Sequence, residues 1–237
     1  FGNIHQHLDL IAGLPYEDVN SFQKSFDDVY AMRPDQLQLG FLKVLKGSGM
    51  REDAPGYGIN WHERAPYEVL TTDWLSYGDV LLLKGVEDMV EVYYNSRQFD
   101  RTISKIMERY ASPFLFFKEL ADFYDREGLA GIGHARIARY EILRRFLSEE
   151  KGWELKEYEQ CMVLDLYARE NLKSRPAFAP DLSPSKEQLK IMTREYGRQV
   201  HVEVLERERR PVYVMFDYRT RDPLTGDAIM QILEEPE

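Results

Sequence analysis

Residues 7–50 read HLDLIAGLPYEDVNSFQKSFDDVYAMRPDQLQLGFLKVLKGSGM, and this stretch decides the fold of the first part of the chain. The mainly apolar residues 8–12 are followed by Gly13 and Pro15, which predicts a β-strand that ends in a tight turn. A second apolar run, residues 37–42, ends shortly before the sequence KGSG. Two such runs with a helical pattern between them indicate a βαβ unit, in which the two strands are parallel.

The residues between the two runs have the spacing of a helix. The acidic residues 17–18 stand where the helix would begin, and Phe22, Phe26 and Val29 recur on one face. We expect the helix to end before Pro34, because the residue before a proline disfavours helical dihedral angles. Parallel sheets are normally buried on both faces, so two parallel strands need further neighbours. The βαβ unit is therefore expected to be part of a larger structure.

Composition excludes several classes of function. The chain has 237 residues, a formal net charge of -10 and a pI near 5.1, which argues against non-specific nucleic-acid binding. A single cysteine, Cys161, excludes an internal disulfide, an iron-sulfur cluster or a cysteine-rich zinc site built from this chain alone. With neither an apolar run of about 20 residues nor a signal pattern, we predict a soluble, cytoplasmic protein with no membrane partner.

After the βαβ unit the sequence predicts a mainly helical domain. We place the domain boundary near Met50, so that residues 1–50 are one domain and residues 51–237 the other. Residues 51–72 read as a connector with a short extended piece, and helical periodicity dominates from Ser76 onward. From about residue 199 to 233 the period changes to two, which predicts a small antiparallel β-sheet. The predicted fold class is α+β, mainly α.

Two histidines and the cysteine are candidate catalytic or metal-binding groups. His5 and His7 lie two apart on a predicted strand, so both imidazoles would face one way, as two metal ligands would. Because no third ligand follows at a typical spacing, ordinary histidines at the entry to a strand are the favoured interpretation. Cys161 lies in a predicted helix with no histidine near it in sequence, which favours a buried, inert thiol over a nucleophile.

The turn at Gly13, Leu14 and Pro15 is the most suggestive site in the sequence. It follows a parallel strand, and ligands of α/β folds bind at the carboxyl ends of such strands. Asp9 lies between two leucines of that strand. A carboxylate in a buried strand must be hydrogen-bonded or face a cavity. Contact of Asp9 with a ligand and contact with a neighbouring strand both remain open.

These residues resemble a known family. HLDLIAGLPYED, followed by a helix, RPD and LQLGFLKVLKGS, is similar to the fifth and sixth strands of the radical S-adenosylmethionine barrel. Enzymes of the oxygen-independent coproporphyrinogen oxidase, methylthiotransferase and cobalamin-dependent types carry the similar text D-L-I-x-G-L-P-G-E/Q. This resemblance covers about residues 4–50. Tyr16 departs from it, since relatives usually have glycine there.

The remainder of the chain resembles a second, uncharacterised helical domain. The similarity is carried by YGINWHERAPYEVLTTDWLSYGDVLLLKGVEDMVEVYYNS and by the later VMFDY. That domain follows the barrel in many bacterial proteins that begin with a cobalamin-binding domain and are often labelled Fe-S oxidoreductases. The fold implied by the two resemblances is a βαβ remnant of a radical S-adenosylmethionine barrel, followed by a helical bundle with a small C-terminal sheet.

The resemblance also implies a set of residues that bind S-adenosylmethionine. In the family, the strand-five aspartate and the isoleucine two residues later approach the ribose and adenine of S-adenosylmethionine. The turn after that strand lies next to these two residues. Backbone after strand six flanks the adenine. These positions are Asp9, Ile11, Gly13, Leu14, Pro15, Lys43 and Val44. Four aromatic residues are candidates to line the substrate pocket, with ordinary packing as the alternative for each: Trp61, Tyr67, Tyr93 and Tyr94.

The resemblance further implies that the chain is the C-terminal portion of a longer enzyme, the parent protein. The CxxxCxxC loop that holds the family's four-iron four-sulfur cluster is expected upstream of Phe1. The chain would supply part of the barrel edge and a helical cap over the substrate site, would be inactive alone and would hold no cofactor itself. Its partner would be the missing N-terminal part of its own chain. The parent enzyme would bind the cluster and S-adenosylmethionine as cofactors and act on an unidentified small-molecule substrate. Whether the parent enzyme also binds cobalamin is left open.

Other interpretations belong to other classes of protein. One is a non-catalytic helical module that binds a protein or peptide, with the βαβ unit as an attachment. A weaker alternative is a stand-alone phosphate-binding βαβ protein. The lack of a glycine-rich loop before Asp18 argues against it. The exposed edges of the parallel strands are also open to pairing with a second copy of the chain, as a homodimer.

Overall fold

A computed structural model describes residues 4–181, 186–197, 199–207 and 210–233 of the chain. The fold is α+β and mainly helical, as predicted. Its contacts form two compact units: Phe1–Arg97 with Met107–Gly133, and Gln98–Ile106 with His134–Glu237. Met50 lies inside the first unit. The predicted boundary near Met50 separates a segment that resembles a barrel from one that resembles an accessory domain. Contacts within the chain do not test such a resemblance, so this boundary stays a prediction.

The first unit begins with the predicted βαβ arrangement. Strand β1 (His7–Ala12), helix α1 (Val19–Ala31) and strand β2 (Gln36–Phe41) follow one another along the chain. The two strands are parallel and in register from His7 opposite Gln36 to Ala12 opposite Phe41. Helix α1 begins where the acidic residues predicted, because the Asp18 carboxylate accepts the Ser21 N–H at 2.8 Å and caps the helix.

The predicted connector contains more regular structure than its sequence indicates. Helix α2 (Gly49–Asp53) and a 3₁₀ turn (Ala54–Tyr57) precede strand β3 (Asn60–Trp61), which pairs antiparallel with β4 (Val69–Thr71). Strand β4 confirms the predicted extended piece. The other elements have no sequence period, because they are too short to show one. They are set by local hydrogen bonds, such as that of the Ser48 hydroxyl, which caps α2.

Two long helices complete the core of the first unit. Helix α3 (Tyr77–Val90) continues as a π-helical turn (Glu91–Asn95) and packs against α5 (Pro113–Arg126). Helix α1 joins them through aromatic rings, since Phe26 makes edge-to-face contacts with the rings of α5 at centroid distances of 5.7 and 5.9 Å. The burial of these rings explains why the helical stripes of the sequence are so aromatic.

The second unit combines helices with the predicted C-terminal sheet. The elements are α4 (Asp100–Met107), α6 (Arg136–Arg145), α7 (Lys156–Arg169), α8 (Lys186–Tyr196), β5 (Val200–Arg207), β6 (Arg210–Arg221) and β7 (Ala228–Leu233). Helix α6 continues as a π-helical turn (Phe146–Glu150), and helix α4 ends one residue beyond the bounds of this unit. The strands are antiparallel in the order β5-β6-β7, which confirms the sheet expected over about residues 199–233.

Both faces of strand β5 are covered. Val200 and Val202 belong to an apolar cluster with Leu189 and Met192 of α8. The alternate residues face α7, where the His201 ring stacks on the Tyr167 ring at a centroid distance of 3.7 Å. The sheet is therefore packed between two helices rather than exposed on its polar side. None of the helices in the described part of the chain has the length and apolar content needed to cross a membrane.

Candidate functional site

The β1–β2 sheet is buried on one face and open on the other. Leu37 and Leu39 are buried on the face against which α3 packs. On the opposite face Asp9 and Ile11 point outward, and Ile11 is 47% exposed. A parallel sheet with one open face is unusual, because such sheets are normally covered on both sides. This open face is the first part of the candidate site.

The structure changes the interpretation of Asp9. The sequence predicted a carboxylate in a buried strand, but 66% of the Asp9 side chain is exposed, and its Oδ1 lies 3.3 Å from Nε2 of His7. The expectation of burial is wrong, because the face that carries Asp9 is the open one. No buried partner is needed to compensate its charge, and the carboxylate is accessible from solvent.

The two outer edges of this sheet differ. Gln36 donates its N–H to the carbonyl of Gln6, just before β1, and Leu42 donates to that of Ala12, so the even-numbered residues of β1 bond towards β2. In a parallel pair the intervening residues then point their N–H and C=O groups to the outer edge. Within the described residues β1 pairs with no strand other than β2. The outer edge of β1 is thus available for another strand.

The outer edge of β2 is instead closed by a side chain. Asn95, at the end of the π-helical turn, accepts the Leu37 N–H at 2.9 Å and donates to the Leu37 C=O at 3.0 Å.

Beside Asn95 lies a polar groove of about 320 Å³ whose carboxylates come from α3 and the π-helical turn after it. Burial raises the pKa of Glu87, with neighbouring acidic groups adding to the effect and Lys84 opposing it. The groove is lined by His7, Gln36, Leu37, Gln38, Leu39, Glu87, Asp88, Glu91 and Asn95.

The structure brings the turn after β1 and the segment after β2 together on strand β4. Gly13 has a φ of +89°, and a Cβ placed on it would lie 2.7 Å from Cγ1 of Val69. The Val69 N–H donates to Leu42, and the Val44 N–H donates to Tyr67, each at 2.9 Å. The tight turn therefore needs glycine for its dihedral angle and for space.

The remaining residues of the predicted set differ in accessibility. Leu14 is exposed, Pro15 is half-buried, Lys43 is exposed and Val44 is fully buried. Val44 is fully buried and its N–H already donates to Tyr67, so the backbone role that the resemblance gives it has no support in its exposure. Their assignment to S-adenosylmethionine stays a prediction.

The four aromatic candidates for a pocket separate into two pairs. Trp61 and Tyr67 are half-buried beside the carboxyl ends of the strands, with the Arg51 guanidinium 5.6 Å from the Trp61 ring centroid. Tyr93 is fully buried, with its hydroxyl 2.7 Å from that of Tyr124, so it packs in the core. Tyr94 donates to the carbonyl of Pro34, which precedes β2 at the amino end of the sheet. Only the first pair lies where a pocket at the Gly13 end would need it.

The surroundings of His5, His7 and Cys161 favour ordinary structural roles over metal binding or catalysis. His5 lies 3.9 Å from an oxygen of Asp35, whereas His7 contacts Asp9, so the two imidazoles face different carboxylates. Among the described residues, no group of three or more His, Cys, Asp or Glu side chains could hold a metal ion. Burial, followed by the nearby Asp165 carboxylate, raises the pKa of Cys161 to about 11. A protonated thiol is a poor nucleophile, which fits the predicted inert role, although Cys161 is half-buried rather than buried.

Sequence reasoning missed a buried charged cluster in the second unit. Glu203 is 1% exposed and accepts hydrogen bonds from the Arg175 guanidinium at 3.2 to 3.3 Å. Nε2 of His201 lies 2.9 Å from the same carboxylate. The cluster ties Arg175, in the segment between α7 and α8, to strand β5. Its only sequence signal was a glutamate among alternating valines, which is equally typical of a solvent-facing position.

Most of the chain matches the model of one protein family. Residues 55–211 match the model of a family described as "Protein of unknown function (DUF4080)". The match covers about two-thirds of the chain. The chain belongs to this family. The DUF4080 match begins after the βαβ unit and includes α3 to α8 and strand β5, so the open face of β1 and β2 lies outside it. The chain has no match among curated proteins.

Proposed function

We propose that this DUF4080 chain is the C-terminal portion of a radical S-adenosylmethionine enzyme. In this proposal β1 and β2 are late strands of the barrel and supply part of the edge that binds S-adenosylmethionine. The DUF4080 part caps the substrate site. The observation that carries the proposal is the parallel sheet with one open face and one free edge, since that surface requires further structure to cover it.

The difference between the two edges supports the strand order that the proposal needs. Among the described residues the outer edge of β1 pairs with no strand, so a preceding barrel strand can be added there. The outer edge of β2 is occupied by Asn95, as suits the last strand of an open barrel. A new parallel strand would therefore be added beside β1.

The residues on the open face suit the adenosine part of S-adenosylmethionine. The exposed Asp9 carboxylate can accept hydrogen bonds from ribose hydroxyls, and the exposed Ile11 side chain offers an apolar surface to a base. Gly13 lets backbone approach closely at the carboxyl end of β1. When bound next to a reduced cluster, S-adenosylmethionine supplies a 5'-deoxyadenosyl radical. The residues of this chain would hold and orient the nucleoside and exclude water.

The proposal is tested in the full-length product of the gene, reconstituted anaerobically with iron and sulfide and reduced with dithionite. Release of 5'-deoxyadenosine from S-adenosylmethionine is the measured product. Asp9→Asn should lower its rate by about tenfold or more, since a hydrogen bond to a charged group is worth roughly 1.5–3 kcal/mol. Asp28→Asn, a matched change at an exposed position of α1, should leave the rate unchanged.

Two results would contradict the proposal. One is a full-length protein that forms no 5'-deoxyadenosine under these conditions. The other is equal rates for the Asp9 and Asp28 variants. The helical interaction module and the homodimer stay alternative predictions, and the second is decided by the molecular mass of the chain in solution.

A further inference from the structure

Three aromatic rings meet at the carboxyl end of β1. The Tyr16 ring lies 4.7 Å from the Trp74 ring and 5.8 Å from the Tyr57 ring, measured between centroids. The Tyr57 and Trp74 rings are 6.4 Å apart. These distances are in the range of favourable aromatic contacts. We refer to Tyr16, Tyr57 and Trp74 as the aromatic trio.

Two members of the aromatic trio form a fixed platform. The Thr72 hydroxyl accepts the N–H groups of Trp74 and Leu75 at 3.1 and 3.0 Å, which holds Trp74 in a tight turn. The Asp73 N–H donates to the Tyr57 carbonyl at 3.1 Å. Tyr57 and Trp74 are thereby held next to each other by their own backbones, whether or not Tyr16 is present.

Tyr16 joins this platform at a conformational cost. Its φ of +68° lies in the left-handed region, which a bulky residue rarely adopts. Despite that conformation Tyr16 is 74% exposed, so its ring is not needed to fill the core. The ring contacts the platform, and most of the residue is exposed to solvent. Leu14, two residues earlier in the same turn, is also exposed. Strained residues of this kind cluster at sites that bind ligands.

We propose that the aromatic trio is a binding site for a small molecule with a flat aromatic ring, which stacks on the exposed face of Tyr16. The contacts with Tyr57 and Trp74 set the orientation of the Tyr16 ring. The geometry of the aromatic trio carries this inference, which goes beyond the proposed radical chemistry and does not depend on it. The ring could belong to a purine nucleoside or to an apolar substrate, since both present the same flat surface.

Saturation-transfer difference NMR on the chain, with adenosine and 1-naphthol as separate probes, tests the inference. The key variant is Tyr16→Gly, which removes the ring and also relieves the left-handed conformation. The matched control is Arg33→Gly, because exposed Arg33 also has a positive φ, of +53°, but lies at the amino end of β2. Tyr16→Phe keeps the stacking surface. The thermal midpoint of each variant is measured alongside.

We expect at least one probe to receive saturation from the wild-type chain, with a loss of threefold or more in Tyr16→Gly and no loss in Arg33→Gly or Tyr16→Phe. Both glycine variants should unfold at or above the wild-type midpoint. Adenosine alone would identify a nucleoside ring, and 1-naphthol alone an apolar one. Absence of saturation for both probes, equal saturation in Tyr16→Gly, or a lowered midpoint for Tyr16→Gly alone would overturn the inference. A failure of 5'-deoxyadenosine formation would leave it standing.

Discussion

The Asn95 carboxamide forms two hydrogen bonds with the backbone of Leu37, one to its N–H and one to its C=O. It takes the place that a neighbouring strand would occupy, so β2 has no free edge at that residue. Exposed edges invite pairing with other chains, and proteins commonly block them. Among the described residues β1 has no such block, so in the proposed barrel a further strand would be added beside β1.

Asn95→Asp should therefore destabilise the first unit. The change replaces the donating amide with an oxygen that faces the Leu37 carbonyl and the Glu91 carboxylate, to which Asn95 also donates at 3.0 Å. We expect a loss of about 1–3 kcal/mol in the free energy of unfolding, measured by urea denaturation. Asn20→Asp, at an exposed position in the first turn of α1, should change it by about 0.5 kcal/mol or less. Equal effects of the two changes would contradict the role given to Asn95.

Gly13→Ala should disrupt the turn that follows β1. The added methyl group would require a left-handed alanine and would press on Val69, so we expect a loss of about 2–4 kcal/mol. Gly47→Ala is the control, because Gly47 also has a positive φ, of +79°, but open space around it. It should lose only about 1 kcal/mol. If Val69→Ala fails to reduce the cost of Gly13→Ala in the double variant, the steric explanation is wrong.

The buried cluster around Glu203 predicts a strong effect in the second unit. Glu203→Gln leaves the Arg175 guanidinium and His201 without their charged acceptor, which should cost about 2–4 kcal/mol. Glu206→Gln tests an exposed glutamate of the same strand, paired with Lys156. Its removal should cost about 1 kcal/mol or less, since surface ion pairs contribute little. Urea denaturation of both variants separates the two cases, and similar losses would argue against a special role for Glu203.

Asp165 predicts a pH dependence of stability. Its carboxylate accepts the N–H and hydroxyl of Thr102 and the N–H of Arg101, which caps the start of α4 from helix α7. Burial nevertheless dominates and raises its pKa from the ordinary 3.8 to about 6. Between those values the folded chain binds more protons than the unfolded chain, so this group makes the protein less stable as the pH rises.

The effect of Asp165 is isolated by comparison with Asp165→Asn. The free energy of unfolding of the wild type relative to the variant should fall by roughly 2–3 kcal/mol between about pH 4 and pH 6. The measurement is urea denaturation of both proteins at several pH values in that range. A difference that stays constant, or that rises with pH, would contradict the raised pKa.

Local patterns predicted much of the fold. The βαβ unit follows from apolar runs, a cap at Asp18 and a stop at Pro34, all of which act within a few residues. The valines of β5 likewise revealed its strand and its apolar face. These elements were accessible because their signals lie in adjacent residues rather than in distant contacts.

The candidate site was less accessible from sequence because it depends on long-range relations. The sequence predicts a buried Asp9, since no residue near it in sequence indicates that one face of its sheet is uncovered. Glu203 reads as solvent-facing, and only the distant Arg175 shows otherwise. Tyrosine is not a residue type that indicates a left-handed conformation, and the signal at position 16 lies instead in the glycine that similar sequences usually have there.

The most direct test of the central claim is to read the coding sequence upstream of the Phe1 codon in the source genome. If the chain is the C-terminal portion of a radical S-adenosylmethionine enzyme, an in-frame CxxxCxxC motif should follow a first predicted βα unit there. A start codon immediately before Phe1, or an upstream reading frame without those cysteines, would contradict the claim. The helical interaction module would then be the better account of this DUF4080 chain.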